Sequence, residues 1–394
     1  MQATRTPTAR ATLAPPATTT HTTITVWENL SAAQTDQLTR DVAAFQEQFP
    51  QYRVNVRHFE GPEDFMTSLA ADQITFDVVL APPFLLSSLW SAGQISPMSD
   101  FFPRSFLDGF EAITLLGASH DGVVWGLPDT SGFHLLLFYN QELVDTPPTT
   151  TDELTELAEQ LTTASQWGLG VNSYDPLWLL PWLTSPDGWL TEENGRSSLD
   201  TGSTVAAITL LQGWHNPSTA IAPAESYDEV RTRFLNGQLA MMIDGEWAID
   251  ELVNTDQLTW GVAPLPGMGQ SGGDSAAAPL VLGRYWAVSR SATGTRAQAV
   301  AGFLEFISRP ERQLAWLSQF GLLPTRRQAL DDPLIANDPV WRVSARQLRA
   351  GRGLPLGLNA NLLLDAMREP LRGAIDGVLT PTEATEMMQT NLER

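Results

Sequence analysis

The sequence predicts an α/β protein with two or three domains. A chain of 394 residues is long enough for this number, because a domain typically has about 100 to 200 residues. Apolar residues make up 43% of the chain and charged residues 17%, which is typical of a globular protein. Strand-like and helix-like segments alternate from Ile24 onward, and this alternation favours a mostly parallel sheet with helices on both faces.

The first five predicted elements carry that alternation. The helix after the first strand has apolar residues at spacings of four, three and four, and Pro50 ends it. The fifth element is a short, continuous apolar run, as expected for a strand buried on both faces. In order, the strand, helix, strand, helix and strand are predicted at 24–27, 38–49, 52–59, 65–69 and 78–81.

A second α/β region follows, and the chain ends in helices. Further strands are predicted at 123–127, 135–139, 240–243, 260–264 and 285–288. One helix is predicted at each of 152–165, 204–214 and 227–235, and helices are predicted from 297 through 317 and almost throughout from Asp338. The helix at 152–165 is expected to be capped by Thr151 or Asp152.

Residues 1–23 are predicted to form a disordered tether. They are rich in Thr, Ala and Pro, and they lack the continuous apolar core of a signal peptide. A polar tether that leads straight into a strand favours an export signal removed before cloning, and an ordinary disordered terminus is the alternative.

Charge and composition exclude several function classes. The net charge of −22 repels phosphate backbones and anionic lipids, so no nucleic-acid partner is expected. The basic residues are all arginine, which removes Walker-lysine and pyridoxal chemistry, and the lack of cysteine removes thiol and thiolate-metal chemistry. No two of the five histidines have the spacing of helix-borne metal ligands. The sequence therefore predicts neither a metal nor a cofactor.

Signals for catalysis are weak. Ser119-His120-Asp121 has the residue types of a catalytic triad, but adjacent side chains do not reach that geometry, and a polar turn is predicted. The glycine-rich stretch 267–272 follows a proline and does not open a helix, so it is interpreted as a loop. Carboxylates near aromatic residues leave a glycosidase open as an alternative, although sequence does not give their separation. They are Glu28, Asp129, Asp175, Asp244 and Glu246.

The thirteen tryptophans suggest a binding surface. Several lie beside turns or chain breaks, among them Trp27, Trp178, Trp247 and Trp286. One interpretation is that they are core aromatics, since tryptophan is usually buried. The other is that they lie at strand ends, where open α/β sheets bind ligands, and stack on the apolar face of a sugar ring.

Five motifs in order resemble one protein family. The chain carries ITVWEN at 24–29, FDVVL at 76–80, GLP at 126–128 followed by LFYNQEL at 137–143, FLNGQLAMMIDGEW at 234–247 and WGVAPLP at 260–266. This set is similar to that of the extracellular solute-binding proteins of ABC importers, in the group that includes maltose-binding protein. The fourth motif is the most specific of them.

The resemblance implies a periplasmic-binding-protein-like fold: two α/β lobes joined by three crossovers, with a ligand cleft between them. It places the crossovers near 130–133, Pro264 and 322–325, the N-terminal lobe at 24–130 plus 264–322, and the C-terminal lobe at 131–263 plus 323–394. It also implies a non-enzymatic, extracytoplasmic monomer, lipid-anchored through a removed residue, that binds an oligosaccharide or sugar derivative and delivers it to permease subunits. A carbohydrate sensor without a transport partner remains an alternative.

The resemblance also implies which residues contact the ligand. They are Trp27, Glu28, Asn29, Phe84, Asp129, Ser131, Tyr174, Asp175, Trp178, Trp247, Arg284 and Tyr285. Pro82, Pro83 and Phe84 depart from the family's usual contacts, which implies a ligand other than maltose. Arg284 stands where relatives have small residues, and it either binds an anionic ligand group or forms a lobe-bridging ion pair, with Asp129 as the candidate partner.

Overall fold

The computed structural model describes residues 21–70, 75–183, 198–215, 221, 226–255, 257–269, 276–358 and 360–393. In this part of the chain the strands β1 to β11 are Thr22–Glu28, Tyr52–His58, Val78–Ala81, Ser119–His120, Val123–Val124, Leu127–Gly132, Leu135–Asn140, Trp167–Gly170, Leu239–Gly245, Trp260–Ala263 and Leu282–Val288. Most of the tether predicted for 1–23 lies outside the described residues.

Helices occupy much of the rest. The helices α1 to α16 are Ala32–Gln48, Pro62–Ala70, Pro83–Ser91, Arg104–Leu107, Ala112–Leu116, Thr151–Leu161, Gly202–His215, Tyr227–Leu235, Ile249–Val253, Gly294–Ile307, Pro310–Phe320, Arg327–Leu330, Pro333–Ala336, Pro339–Ala350, Ala360–Ile375 and Pro381–Leu392. Short 3₁₀ helices cover Met98–Asp100, Pro176–Trp178, Leu180–Trp182 and Glu246–Ala248. Among the described helices, none combines the length and the apolar character that crossing a bilayer requires.

The strands form two main sheets. The first has the order β2-β1-β3-β11-β6, and the second has the order β10-β7-β9-β8. The strands β4 and β5 form a separate hairpin, in which Asp121 and Gly122 have φ values of 49° and 75°. Positive φ at both central residues is the geometry of a tight hairpin turn, and it confirms the predicted polar turn after Ser119.

The α/β class is confirmed, but the prediction of mostly parallel sheets is wrong. In the first sheet β1 pairs in parallel with β2 and β3, whereas β11 runs antiparallel to both β3 and β6. In the second sheet only β8 and β9 are parallel. The local alternation correctly predicted the β1-β2-β3 unit. The directions of β6 and β11 depend on distant connections, which a local pattern does not contain.

Each sheet is covered on both faces by an apolar core. In β11, Trp286 and Val288 point toward α1 and α10. Tyr285 and Ala287, which alternate with them along the strand, point toward α2 and α3. In β7 the residues alternate in the same way between a core with α6, α7 and α15 and a core with α8 and α9. Because successive side chains of a strand point to opposite faces, each sheet has an apolar layer on both faces, and the two sheets together have four such layers.

The cap of α6 differs from the prediction. It is Thr150, whose side chain accepts the N–H of Glu153. The helices predicted from 297 through 317 are α10 and α11, and Pro310, which lacks an N–H, begins α11 after a break at Ser308 and Arg309.

Two buried glutamines hold the connections between the sheets. Gln313 donates from Nε2 to the carbonyl of Asp129 at 3.1 Å and to Oγ1 of Thr325 at 2.8 Å, and its Oε1 accepts the N–H of Thr325 at 3.0 Å. Gln347 accepts the N–H of Leu265 at 2.7 Å and donates to Ala277. Because buried amides need such partners, these bonds fix the chain where it leaves each sheet.

Candidate functional site

One short connection joins the two sheets. The strand β6 ends the first sheet at Gly132, and β7 begins the second sheet at Leu135. In the first sheet Gly132 pairs with Leu282, and in the second sheet Leu135 pairs with Gly245. The ends of β6 and β9 and the beginnings of β7 and β11 therefore lie together. This is the kind of position where open α/β sheets bind ligands.

The connection itself, Phe133 and His134, is held by residues that follow β9. Phe133 has a φ of 64° and donates its N–H to Oε1 of Glu246 at 2.8 Å. The N–H of Glu246 donates to the carbonyl of His134 at 3.0 Å. A left-handed conformation is unusual for an aromatic residue, and such backbone strain persists where surrounding contacts hold it.

Buried His134 anchors the same connection from the other side. Its side chain is 0% exposed and its Nε2 lies 2.9 Å from Oγ of Ser344 on α14. Burial lowers the pKa of His134 to about 3, so the imidazole is neutral at physiological pH.

Aromatic rings form a wall beside this connection. The ring of Trp247 lies 5.0 Å from that of Phe133, and its Nε1 donates to the hydroxyl of Tyr227 at 2.6 Å. Tyr227 in turn lies 5.8 Å from the buried ring of Trp178. Phe133 is 44% exposed and Trp247 is partly exposed, so both rings offer apolar surface with a polar edge behind it.

A charge network supports the wall from behind. Asp244 is 1% exposed and pairs with Nε of Arg231 at 3.2 Å, and Arg231 also pairs with Glu251 at 3.2 Å. Burial raises the pKa of Asp244 to about 6, although Arg231 opposes the shift. Burial and the charge of Asp244 also raise the pKa of the Tyr227 phenol. The phenol therefore stays neutral and accepts the Trp247 hydrogen bond.

Glu246 is the other carboxyl with a perturbed pKa at the connection. Burial raises its pKa to about 7, against the opposing effect of the N–H bonds from Phe133 and His134. Its Oε2 is buried and has no hydrogen-bond partner among the described residues. A half-satisfied carboxyl of this kind is typical of functional sites.

These two raised pKa values predict that stability falls as pH rises. The folded protein holds protons on Asp244 and Glu246 that the unfolded chain releases near pH 4, so the stabilisation is fully present below about pH 4 and is lost as pH rises through about 6 to 7. We expect a higher urea midpoint at pH 5 than at pH 7.5. Glu246→Gln should reduce this difference, and an undiminished difference in the variant would contradict the role of Glu246.

The side chains at the end of β1 and directly after it make contacts within the protein. Trp27 is 2% exposed and packs between Phe59 and Phe76 at centroid distances of 5.1 and 5.5 Å. The carboxylate of Glu28 is fully buried and accepts the N–H of Leu30 at 2.6 Å, with His58 at 3.0 Å. Asn29 donates to the carbonyl of Phe59. Trp27 and Glu28 are therefore buried beside the first sheet, and the partly exposed Asn29 holds the loop to Phe59.

Arg284 pairs with Asp129, but within one sheet. Its Nη2 lies 3.2 Å from Oδ2 of Asp129, its Nε donates to Oγ1 of Thr130, and its Nη1 donates to Gln34. The other Asp129 oxygen accepts Nε1 of Trp286 at 3.0 Å. Burial raises the pKa of Asp129, and Arg284 opposes this shift. Asp129 and Arg284 lie on neighbouring strands β6 and β11, so the pair does not bridge lobes.

The remaining predicted contacts divide into two groups. The hydroxyl of Tyr174 donates to Asp376 at 2.8 Å, and Asp175 caps the 3₁₀ helix at Pro176–Trp178. Both side chains therefore make contacts within the protein. Tyr285 is 2% exposed, against Gly117.

Phe84 and Ser131 form the other group. Phe84 is partly exposed at the start of α3. Ser131 donates its N–H to Leu323, and its buried Oγ has no described partner. Both lie at the end of the first sheet that faces the connection.

Sequence reasoning missed Phe133 and Tyr227, and it considered Glu246 only as a possible catalytic acid. The resemblance implies that Phe133 lies in a crossover but not among the ligand contacts. No local sequence pattern indicates its left-handed φ. The specific motif that ends in Trp247 contains Glu246, so the motif was a usable signal for it. Among the described residues, no cluster of His, Asp or Glu is arranged to hold a metal ion.

A separate groove of about 530 Å³ lies between the loop 147–150 and the chain that follows β10. Its described lining contains Arg346 as a charged side chain and no aromatic ring. The Phe133–Trp247 connection is the stronger candidate for a site, because it combines exposed rings with unpartnered buried polar atoms.

Comparisons with known proteins agree with this fold. Two relatives are the maltotriose-binding protein of Pyrococcus abyssi, 25% identical over 63% of this chain and 54% of its own, and a maltooligosaccharide ABC transporter solute-binding lipoprotein of Streptococcus pneumoniae R6, 23% identical over 76% and 72%. The chain thus spans about half the length of the first of these relatives. A cyclo/maltodextrin-binding protein solved with maltotetraose shares the fold, with a TM-score of 0.81 at 21% identity over 94% of this chain and 96% of that one.

The predicted two-lobe architecture is confirmed by this shared fold, and the predicted family is confirmed at the level of sequence. The profile of bacterial extracellular solute-binding proteins matches residues 42–341, more than half of the chain. This protein therefore belongs to the bacterial extracellular solute-binding protein family.

Proposed function

We propose that this protein is the substrate-binding component of an ABC importer and that it captures a maltooligosaccharide or a related sugar between its lobes. The observation that carries the proposal is the pair of exposed rings, Phe133 and Trp247, at the point where the two sheets meet. Rings at such a position stack on the apolar face of a sugar, while nearby polar atoms accept its hydroxyls. The names of the two sequence relatives support this ligand class.

The proposed lobe boundaries follow the two sheets. We assign 24–130 plus 264–322 to the N-terminal lobe and 131–263 plus 323–394 to the C-terminal lobe. The refinement that the sheet composition supports is to count Ser131 and Gly132 with the N-terminal lobe, since both lie in β6. The segments around Phe133, Pro264 and 322–325 then serve as the three crossovers on which the lobes close.

We further propose that Trp247 is the main ligand contact, together with Phe84 and Ser131. Their partial exposure or unpartnered polar atoms support this choice. Trp27, Glu28 and Tyr285 support the loops from within the core. Trp178, Tyr174 and the Asp129–Arg284 pair act in the same way, because their polar groups already have protein partners.

The working cycle needs no chemistry. The ligand binds one lobe, the lobes close, and the closed form docks on a permease. Membership of an extracellular family places the protein outside the cytoplasm, and we propose a monomer held to the membrane by a lipid anchor, as the lipoprotein relative suggests.

The direct test is a thermal-shift screen followed by calorimetry. We expect maltotriose or a longer maltooligosaccharide to raise the melting temperature, since a ligand at 100 times its Kd stabilises by about 2.7 kcal/mol. Acidic sugars and sugar phosphates should give no shift, because the Arg284 guanidinium already has three protein partners. Silence across the whole sugar panel from a folded, ligand-free protein would overturn the proposal.

The same samples distinguish the proposed transport protein from the two alternatives, a glycosidase and a sensor. Release of reducing sugar during incubation would show a glycosidase, whereas a binding protein returns the sugar intact. Binding without a partner permease in a reconstituted uptake assay would show a sensor. We expect binding, intact sugar and permease-dependent uptake.

A further inference from the structure

The Glu246 carboxyl occupies a place that a glycine creates. A Cβ on Gly132 would lie 2.3 Å from Oε1 of Glu246, so a side chain at residue 132 would displace the carboxyl. With that space open, Oε1 accepts the Phe133 N–H at 2.8 Å. The carboxyl thus comes from the end of β9 but lies against the end of β6, at the junction of the two sheets.

Among the described residues, only one of the two carboxyl oxygens of Glu246 has a hydrogen-bond partner. Oε2 is buried and makes no hydrogen bond to any described residue. In the described part of the chain no arginine or histidine pairs with Glu246 either. A buried carboxylate oxygen without a partner is costly, and such groups in native proteins commonly have a functional explanation.

The neighbouring charged groups do not supply that partner. From β9 comes Asp244, a like charge, and from α8 come Arg231 and Tyr227, which are bound to Asp244 and Trp247. On α9, Glu251 pairs with Arg231, and in the connection itself His134 is neutral. In the first sheet, Arg284 is bound to Asp129.

We propose that Glu246 is a ligand-binding residue: its Oε2 accepts a hydrogen bond from a ligand hydroxyl beside the rings of Phe133 and Trp247, and ligand binding releases the proton of this carboxyl to solvent. This inference rests on the proposed function, since it requires a polyhydroxylated ligand at the connection.

The link between ligand binding and proton release follows from the missing hydrogen-bond partner of Oε2. Burial raises the pKa of Glu246 to about 7, so near neutral pH about half of the free protein carries the proton. A hydroxyl that donates to Oε2 favours the ionised form and lowers the pKa. The ligand therefore binds more tightly as pH rises through the pKa of the free protein.

Access to Oε2 requires a rearrangement at the connection. The atom is covered in the arrangement described here, so a ligand reaches it only after the groups that cover it have moved. The strained backbone of Phe133 lies in the crossover that must move.

Calorimetry with maltotriose tests the linkage in the unmodified protein. Titrations at pH 7 in phosphate and in Tris, whose ionisation enthalpies differ, give the number of protons released on binding. We expect about half a proton at this pH, and a Kd that tightens between pH 5.5 and 8 by about tenfold for each unit of pKa lowered.

Two matched variants assign the proton. Glu246→Gln should remove both the proton release and the pH dependence of Kd, and it should weaken binding at pH 8 about tenfold, the effect of losing a charged acceptor. Glu159→Gln makes the same change on an exposed carboxyl of α6, outside the network around the connection, and should leave all three values unchanged. Circular dichroism checks that each variant is folded.

The outcomes are separable. If the wild type binds maltotriose without proton release and with a Kd independent of pH, the inference is overturned and the proposed function stands. Proton release that persists in folded Glu246→Gln assigns the proton to another group, such as Asp244, and also overturns it. If the wild type binds no sugar of the panel, the proposed function fails and the inference fails with it. Should Glu246→Gln not fold, the wild-type proton count decides.

Discussion

Replacing Trp247 by alanine is expected to weaken maltotriose binding by at least about tenfold while the protein stays folded. The change removes a partly exposed ring that contacts Phe133 and is held by Tyr227. Burying an aromatic side chain contributes about 1.5 to 3 kcal/mol, and a tenfold change in Kd corresponds to about 1.4 kcal/mol. Isothermal titration gives the affinity, and the far-ultraviolet circular dichroism spectrum checks the fold.

Two further tryptophan variants sharpen this test. Trp247→Phe keeps a ring but loses the bond from Nε1 to Tyr227, so its affinity should lie between those of the wild type and the alanine variant. Trp167 is the first residue of β8, at the end of the second sheet that lies away from the connection. The last residue of that strand, Gly170, pairs closer to the end of β9 that adjoins the connection. Trp167→Ala should therefore leave the Kd unchanged. Equal affinities for Trp247→Ala and wild type would remove Trp247 from the site.

Replacing Arg284 by methionine is expected to lower the free energy of unfolding by about 3 kcal/mol, the effect of breaking a buried ion pair. The side chains of Arg284 and Asp129 are 24% and 14% exposed, so water screens the pair only in part. Without the guanidinium, Trp286 is the one side-chain partner that Asp129 keeps among the described residues, and its carboxylate stays largely buried. Urea unfolding at neutral pH measures the difference.

Controls separate the buried pair from arginine loss in general. Arg104→Met removes a guanidinium that is 81% exposed beside Asp108, and its effect should stay within about 1 kcal/mol. Adding Asp129→Asn to Arg284→Met should recover part of the lost stability, since it removes the uncompensated charge. A folded Arg284→Met with unchanged stability would instead favour the earlier alternative, in which Arg284 is held free for an anionic ligand.

Local patterns decided much of the secondary structure. The unit β1-α1-β2-α2-β3 was predictable because strand alternation, helical spacing and Pro50 each depend on residues a few positions apart. The turn at Asp121 and Gly122 was predictable for the same reason. The break before Pro310 is also a local signal, because proline lacks the N–H that would continue α10.

Motifs decided the family but not the contacts. The stretch that ends in Trp247 includes the end of β9, where we propose the site, because a motif fixes residue types and their order. It did not show that Trp27 and Glu28 turn into the core, since the packing of Phe59 and Phe76 around them is set by strand and helix positions elsewhere.

The sequence by itself determined an α/β chain of the extracellular solute-binding family, with aromatic residues at strand ends and no lysine or cysteine chemistry. Only the tertiary structure decided that Arg284 binds Asp129, 155 positions away, and that Glu246 meets Phe133, 113 positions away. The reason is physical. Side-chain partners across two sheets depend on register, crossover direction and the space left by one glycine, and these are set when distant segments pack, not by neighbouring residues.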